Sequence, residues 1–208
     1  MKKFLISAVL SAIIVGGGYS AETKQSDAWS NMQGYIGVGL AGTSIATDLA
    51  FSGTLIGTHE TSAAGLNLNG GVKWKYLRLG ADITSASGIT NFDSAYLGIY
   101  GLENDVSSVK YALEAAGIIP LTDTVHLEAG LSIGALGNRL KGMGGVCLEG
   151  LDCDAYAVYG LLFGVVINFT ENHAMSILLK GFGYGGADGT IDYSGAIGEF
   201  AIGYRYSF

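Results

Sequence analysis

Ten ionisable side chains sit in stretches that are otherwise apolar or small: Lys73, Arg78, Asp82, Lys110, Glu114, His126, Glu128, Lys180, Glu199 and Arg205. Five are Lys or Arg and four are Asp or Glu. Brought together, they nearly neutralise one another. Buried together, they must pair, because an unpaired ion out of water costs several kcal/mol. Such a set forms either a structural plug of salt bridges or the lining of an ion path. The plug is the expectation; a gate is the alternative, with Lys180 and Glu199, Arg78 and Glu114, and Asp82 and Lys110 as the pairs able to meet.

Elsewhere the chemistry is thinner. Cys147 and Cys153 share one glycine-rich segment with no His nearby, a poor zinc set. An exposed pair in an oxidising compartment forms a disulfide, and that is the expectation here. Glu149, Asp152 and Asp154 lack the oxygen spacing and turn glycine of a calcium loop. With Asp48, Glu60, Asp93, Glu103, Asp105, Asp188 and Asp192 they read as solvated loop carboxylates; a site for a cationic partner is the other reading. His59, beside Thr58, Glu60, Thr61 and Ser62, is the histidine placed to serve a lipid-modifying site, but neighbours in a loop make no triad without geometry. Glycine patterns at Gly37, Gly39, Gly42 and at Gly181, Gly183, Gly186 lack the helix a phosphate-binding turn requires. No catalytic residue, cofactor or metal is expected.

The elements that position these side chains are strands. Alternation of apolar and polar or small residues predicts eight of them, at 34–43, 65–75, 76–85, 108–119, 124–136, 156–169, 174–184 and 191–208. Short connections fall near Lys75 and at 120–123 and 170–173; long ones at 44–64, 86–107 and 137–155, with a smaller one at 185–190. A hairpin or strand extension near 95–100 belongs to the second long connection. One parity carries Leu66, Leu68, Leu77, Leu79, Tyr111, Leu113, Leu131, Ile133, Leu161 and Phe163. The other carries every charged residue named at the outset. A strand has period two, so the two sets face opposite ways. The apolar set is too large for water, whereas a strand with lipid outside and a polar lumen inside needs this division. Trp74, Tyr76, Phe169, Tyr204, Tyr206 and Phe208 cluster near the short turns, where an interfacial girdle of aromatic rings belongs.

Composition agrees. The chain has 34 Gly, one Pro, 49% hydrophobic and only 14% charged residues, against about 25% charged in ordinary globular chains. Lys2 and Lys3 followed by the apolar run 4–15 and small residues at Ser20 and Ala21 read as a secretory signal peptide, 1–21. A short lead, 22–33, then precedes a barrel domain, 34–208. The apolar run is well short of the roughly 20 residues of a membrane helix. The formal charge of −7, or −9 once Lys2 and Lys3 are removed, does not suit nucleic acid.

The turns 120–123 and 169–172 and the ending Tyr204-Arg-Tyr-Ser-Phe208 resemble those of the small OmpA/OmpX-type outer-membrane barrels of Gram-negative bacteria, over 34–208. The resemblance implies an all-β, eight-stranded antiparallel up-and-down barrel with short periplasmic turns and long surface-exposed loops. It implies contact with outer-membrane lipid and lipopolysaccharide, and reading of Tyr204 to Phe208 by the barrel assembly machinery. It also implies a non-enzymatic role in envelope structure or surface adhesion, with an extracellular partner at the acidic loops. A narrow porin-like channel and, less readily, a lipid-modifying enzyme are the alternatives; a water-soluble sandwich is the structural one.

Overall fold

Eight strands follow one another in the computed structural model, which describes residues 32–94, 99–141, 155–188 and 191–208. They are β1 (Gln33–Phe51), β2 (Thr54–Lys73), β3 (Leu77–Ser94), β4 (Ile99–Pro120), β5 (Val125–Lys141), β6 (Ala155–Asn168), β7 (His173–Asp188) and β8 (Ile191–Ser207). Each pairs antiparallel with its neighbour in sequence, and β1 pairs with β8, so the sheet closes on itself and has no free edge. At the seam Gly34 and Phe208 exchange backbone hydrogen bonds of 3.0 and 2.9 Å. The expected signal peptide, nearly all of the lead and the Cys147–Cys153 segment lie outside the described residues.

One end of the barrel is made of tight turns whose chemistry is local. Thr122 Oγ1 accepts the N–H groups of Thr124 and Val125 at 3.2 and 3.0 Å. Thr170 Oγ1 does the same for Asn172 and His173 at 3.3 and 3.2 Å. These hydroxyls substitute for backbone partners that a reversing chain loses.

The other end differs in extent from the expectation. Residues 44–64 are not an open loop: β1 and β2 continue through them to a two-residue turn at Ser52 and Gly53, with φ of 48° and 80°. Positive φ at both central residues is the hairpin turn whose twist matches the strands, and Gly53 adopts it without strain. Likewise β3 runs to Ser94, β4 starts at Ile99, and β5 reaches Lys141. A tilted strand crosses a bilayer in about 9–11 residues, whereas β1 to β4 have 19, 20, 18 and 22. Nearly half of this sheet therefore stands beyond any membrane.

The side chains mark where the membrane stops. In the turn half the outward positions carry large apolar residues: Val38, Leu40, Leu113, Leu131, Leu161, Leu179 and Ile202 are all exposed, Leu131 by 65% and Leu161 by 66%, while Leu162, Val166 and Leu178 pack inward beside the ions. In the loop half the apolar parity inverts. Ile45 and Leu49 of β1, Val106 of β4, Leu136 of β5, Tyr156 and Val158 of β6, Phe182 and Tyr184 of β7 and Ile197 of β8 are buried in the lumen. Outward positions there are mostly small or polar, such as Ser44, Asp48, Ser62, Ser85, Asp105 and Ser194, with Ile89 and, at the hairpin tip, Phe51 and Leu55 as the large apolar exceptions. A strand with apolar residues outside is solvated by hydrocarbon; one with them inside is solvated by water. The same eight strands switch from the first design to the second part-way along.

Candidate functional site

The lumen of the turn half holds eight buried ions in one connected network. An eight-stranded barrel has room only for its own side chains, and here they meet across it. Arg205 Nη1 reaches Glu128 Oε1 at 2.7 Å, and Arg78 Nε lies 3.0 Å from Glu128 Oε2. Arg78 Nη1 bonds Glu114 Oε2 at 2.9 Å and donates to the Tyr35 hydroxyl at 2.9 Å. Lys180 sits among three carboxylates, at 2.8 Å from Asp82, 2.8 Å from Glu114 and 3.3 Å from Glu199. Lys110 joins Asp82 at 3.2 Å and Glu199 at 2.5 Å. All eight are 5% exposed or less. In so dry a site each carboxylate needs more than one donor, and each has them.

Neutral side chains complete the network. Asn67 Nδ2 donates to Asp82 at 2.5 Å and to Thr84 at 2.9 Å, and Asn69 Nδ2 donates to Asn67 Oδ1 at 3.0 Å. The Tyr35 ring lies between two guanidinium groups, 5.8 Å from that of Arg78 and 5.5 Å from that of Arg205. Sequence reasoning did not single these residues out. Asn67 and Asn69 share the parity of Lys73, and a polar side chain on the lumen parity was the available signal.

On the loop side the ions give way to a dry apolar layer of Ile45, Leu136, Tyr156, Val158, Phe182, Tyr184 and Ile197. The layers touch where the Lys110 ammonium lies 4.4 Å from the centre of the Phe182 ring, a cation over an aromatic face. Tyr184 satisfies its hydroxyl on Thr47. At the opposite, turn end, a mouth of about 350 Å³ opens; Lys73, expected in the network, stands half-buried in its wall together with His126.

The other residues singled out by sequence are placed as follows. Tyr76, Phe169, Tyr204, Tyr206 and Phe208 are exposed near the turns. Trp74 is instead half-buried and lines the mouth, because β2 ends at Lys73 and the Trp74 N–H turns to the Leu77 carbonyl at 2.7 Å. His173 joins the aromatic cluster, with its ring centre 5.3 Å from that of Tyr206 and its Nδ1 bonded to the Tyr204 hydroxyl. His59 lies on β2, where it shares a parity with buried Thr61 while Glu60 and Ser62 point outward, so this run does not converge into a triad. The two glycine patterns lie within β1 and β7. Asp48, Glu60, Asp93, Asp105 and Asp192 are exposed on the loop-half strands; Glu149, Asp152 and Asp154 lie outside the described residues.

No family model matches the chain, and no curated protein matches it significantly in sequence. Solved structures do match. Neisserial surface protein A superposes with a TM-score of 0.58 at 15% identity, over 84% of this chain and 97% of that one. The outer membrane protein OprG from Pseudomonas aeruginosa gives 0.56 at 13%, over 86% and 96%. The outer membrane protein AlkL, solved in lipid bilayers, gives 0.51 at 9%, over 91% and 96%. This chain has the fold of the small outer-membrane β-barrels. That fold agrees with the outward apolar belt.

Proposed function

We propose that the chain is a non-enzymatic outer-membrane barrel that presents a rigid, acidic sheet to a partner outside the cell, and that its lumen does not conduct. The inversion of apolar parity carries this reading. It makes the loop half a water-solvated barrel continuous with the membrane-anchored half, so its outer face is held out from the surface rather than left as free loop. That face carries Asp48, Glu60, Asp93, Asp105 and Asp192, which suits a partner with cationic groups. In the same reading the leader, 1–21, directs export and Cys147–Cys153 staples the third loop.

The alternative of a narrow channel finds little support. The ionic plug lies in series with the apolar layer around Phe182 and Leu136, and an ion crossing such a layer has to shed its water. A lipid-modifying site finds none in the alternation at His59.

The test replaces residues 47–59 by Asn-Gly, which closes β1 onto β2 near the Ala46–Glu60 pair. Cells expressing this variant should retain the heat-sensitive gel mobility of a folded barrel but no longer adhere to a matrix-coated surface. The purified wild type should be silent in a planar bilayer. Undiminished adherence, or steady unitary conductance, contradicts the reading.

A further inference from the structure

The ions of the lumen are not evenly distributed. In the deeper layer Lys110 and Lys180 face three carboxylates, Asp82, Glu114 and Glu199. Nearer the mouth Arg78 and Arg205 share Glu128, and Arg78 also holds Glu114, so the eight network ions balance one another. The mouth's excess is therefore its two lysines, Lys73 in the wall and Lys75 at the rim.

The arrangement within the mouth sharpens this. Lys73 and Arg78 are direct partners in the β2–β3 register, and like charges opposite each other on neighbouring strands repel. Among the described residues Lys73 has no carboxylate within ion-pair distance. Glu128 takes one edge of each guanidinium group and so draws two cations together. The remaining donors, Nη2 of Arg78 and Nε and Nη2 of Arg205, are buried and make no hydrogen bond to the described protein, nor does His126 Nδ1. Tyr35 fixes the planes of both guanidinium groups. A guanidinium fork matches the oxygens of a phosphate or carboxylate. Both arginines and the Lys73 ammonium belong to the lining of one cavity of about 350 Å³.

We propose that the turn-end mouth is a binding site for a phosphoryl dianion. Two negative charges match the local excess, whereas a monocarboxylate leaves half of it. The phosphoryl oxygens accept from Lys73 and from the free edges of Arg78 and Arg205 after a small shift of those side chains. The group is supplied either as free phosphate or as a phosphate ester, and both fit the cavity. The site faces away from the acidic sheet of the loop half, so it stands or falls independently of the role proposed for that sheet.

The test uses the full barrel folded in octyl glucoside, a detergent with neither charge nor phosphate, titrated calorimetrically with inorganic phosphate, glycerol phosphate and acetate. Saturable binding of phosphate, or of the ester alone, with acetate at least tenfold weaker, is the expected result. Lys73→Gln should weaken it at least tenfold. Lys73→Glu, which brings its own anion, should abolish it while leaving the thermal midpoint unchanged or higher. Absence of saturable binding by both phosphates, acetate binding as tightly, or full affinity in Lys73→Glu overturns the proposal.

Discussion

At the scale of the residue, the lumen shows how a membrane barrel keeps ions inside. Lys180 is the hub, with three carboxylates within 3.3 Å. Removing it strands negative charge in a site with little water, and breaking a buried ion pair from one side costs about 3–5 kcal/mol. Lys180→Met should therefore lower unfolding stability in detergent by that order. Adding Glu114→Gln to it should recover part of the loss, because one of the stranded charges goes; urea titrations of the three proteins give the comparison. Gly80 tells the complementary story of space. A Cβ there would run into the Tyr35 hydroxyl, the group that accepts from Arg78. Gly80→Ala should cost about 1–3 kcal/mol by overpacking. In a Tyr35→Phe background the oxygen is gone and the penalty should shrink, which a double-mutant cycle measures directly.

At the scale of the element, β8 joins the first strand to the last and ends on its own closure. Phe208 exchanges backbone hydrogen bonds with Gly34, and its ring occupies the place a Gly34 side chain would need. It also stacks on Tyr206 with ring centres 6.4 Å apart. Gly34→Val displaces the ring, so barrels refolded with this substitution should close more slowly and unfold at lower urea than wild type, as followed by gel mobility. The same elements show what the sequence made legible. Within the belt the pattern is clear on most strands, because the outward face must be greasy and the ions must face inward: Leu131 and Ile133 against Glu128 and Ser132, Leu179 against Lys180; β6, with Leu162 and Val166 inward, is greasy on both faces. Eight strands, their parity and the pairs Arg78–Glu114, Asp82–Lys110 and Lys180–Glu199 could be read on that basis. Above the belt it fails for a physical reason. There the outward face is mostly small or polar and the large buried side chains are apolar, so β1 passes from Val38 and Leu40 to Ile45 and Leu49 with its parity reversed. A reader tracking one greasy face sees the signal vanish and expects a loop. The Ser52-Gly53 dipeptide was the remaining clue to the hairpin, since Ser-Gly marks a turn.

At the scale of the whole molecule, the parity switch makes a claim about solvent. Leu131 and Ala46 both point out of the barrel; in a protein bathed by water on all sides, placing a charge at either position would be a surface change worth about 0.5 kcal/mol or less. If hydrocarbon surrounds the lower half alone, the two positions are not equivalent. Leu131 lies within the belt, beside Leu161 and Ala115, and an arginine near the bilayer midplane costs about 2–4 kcal/mol. Ala46 lies above it, directly opposite Glu60, where an arginine meets water and a carboxylate. Folding into lipid vesicles, with urea titration of each variant, should therefore show Leu131→Arg destabilised by that amount and Ala46→Arg within about 0.5 kcal/mol of wild type. In octyl glucoside micelles, which thin around a charge, the gap should narrow. Equal effects at the two positions in vesicles would mean that the two halves share one solvent, and the division between a lipid-facing anchor and a water-standing sheet would be lost.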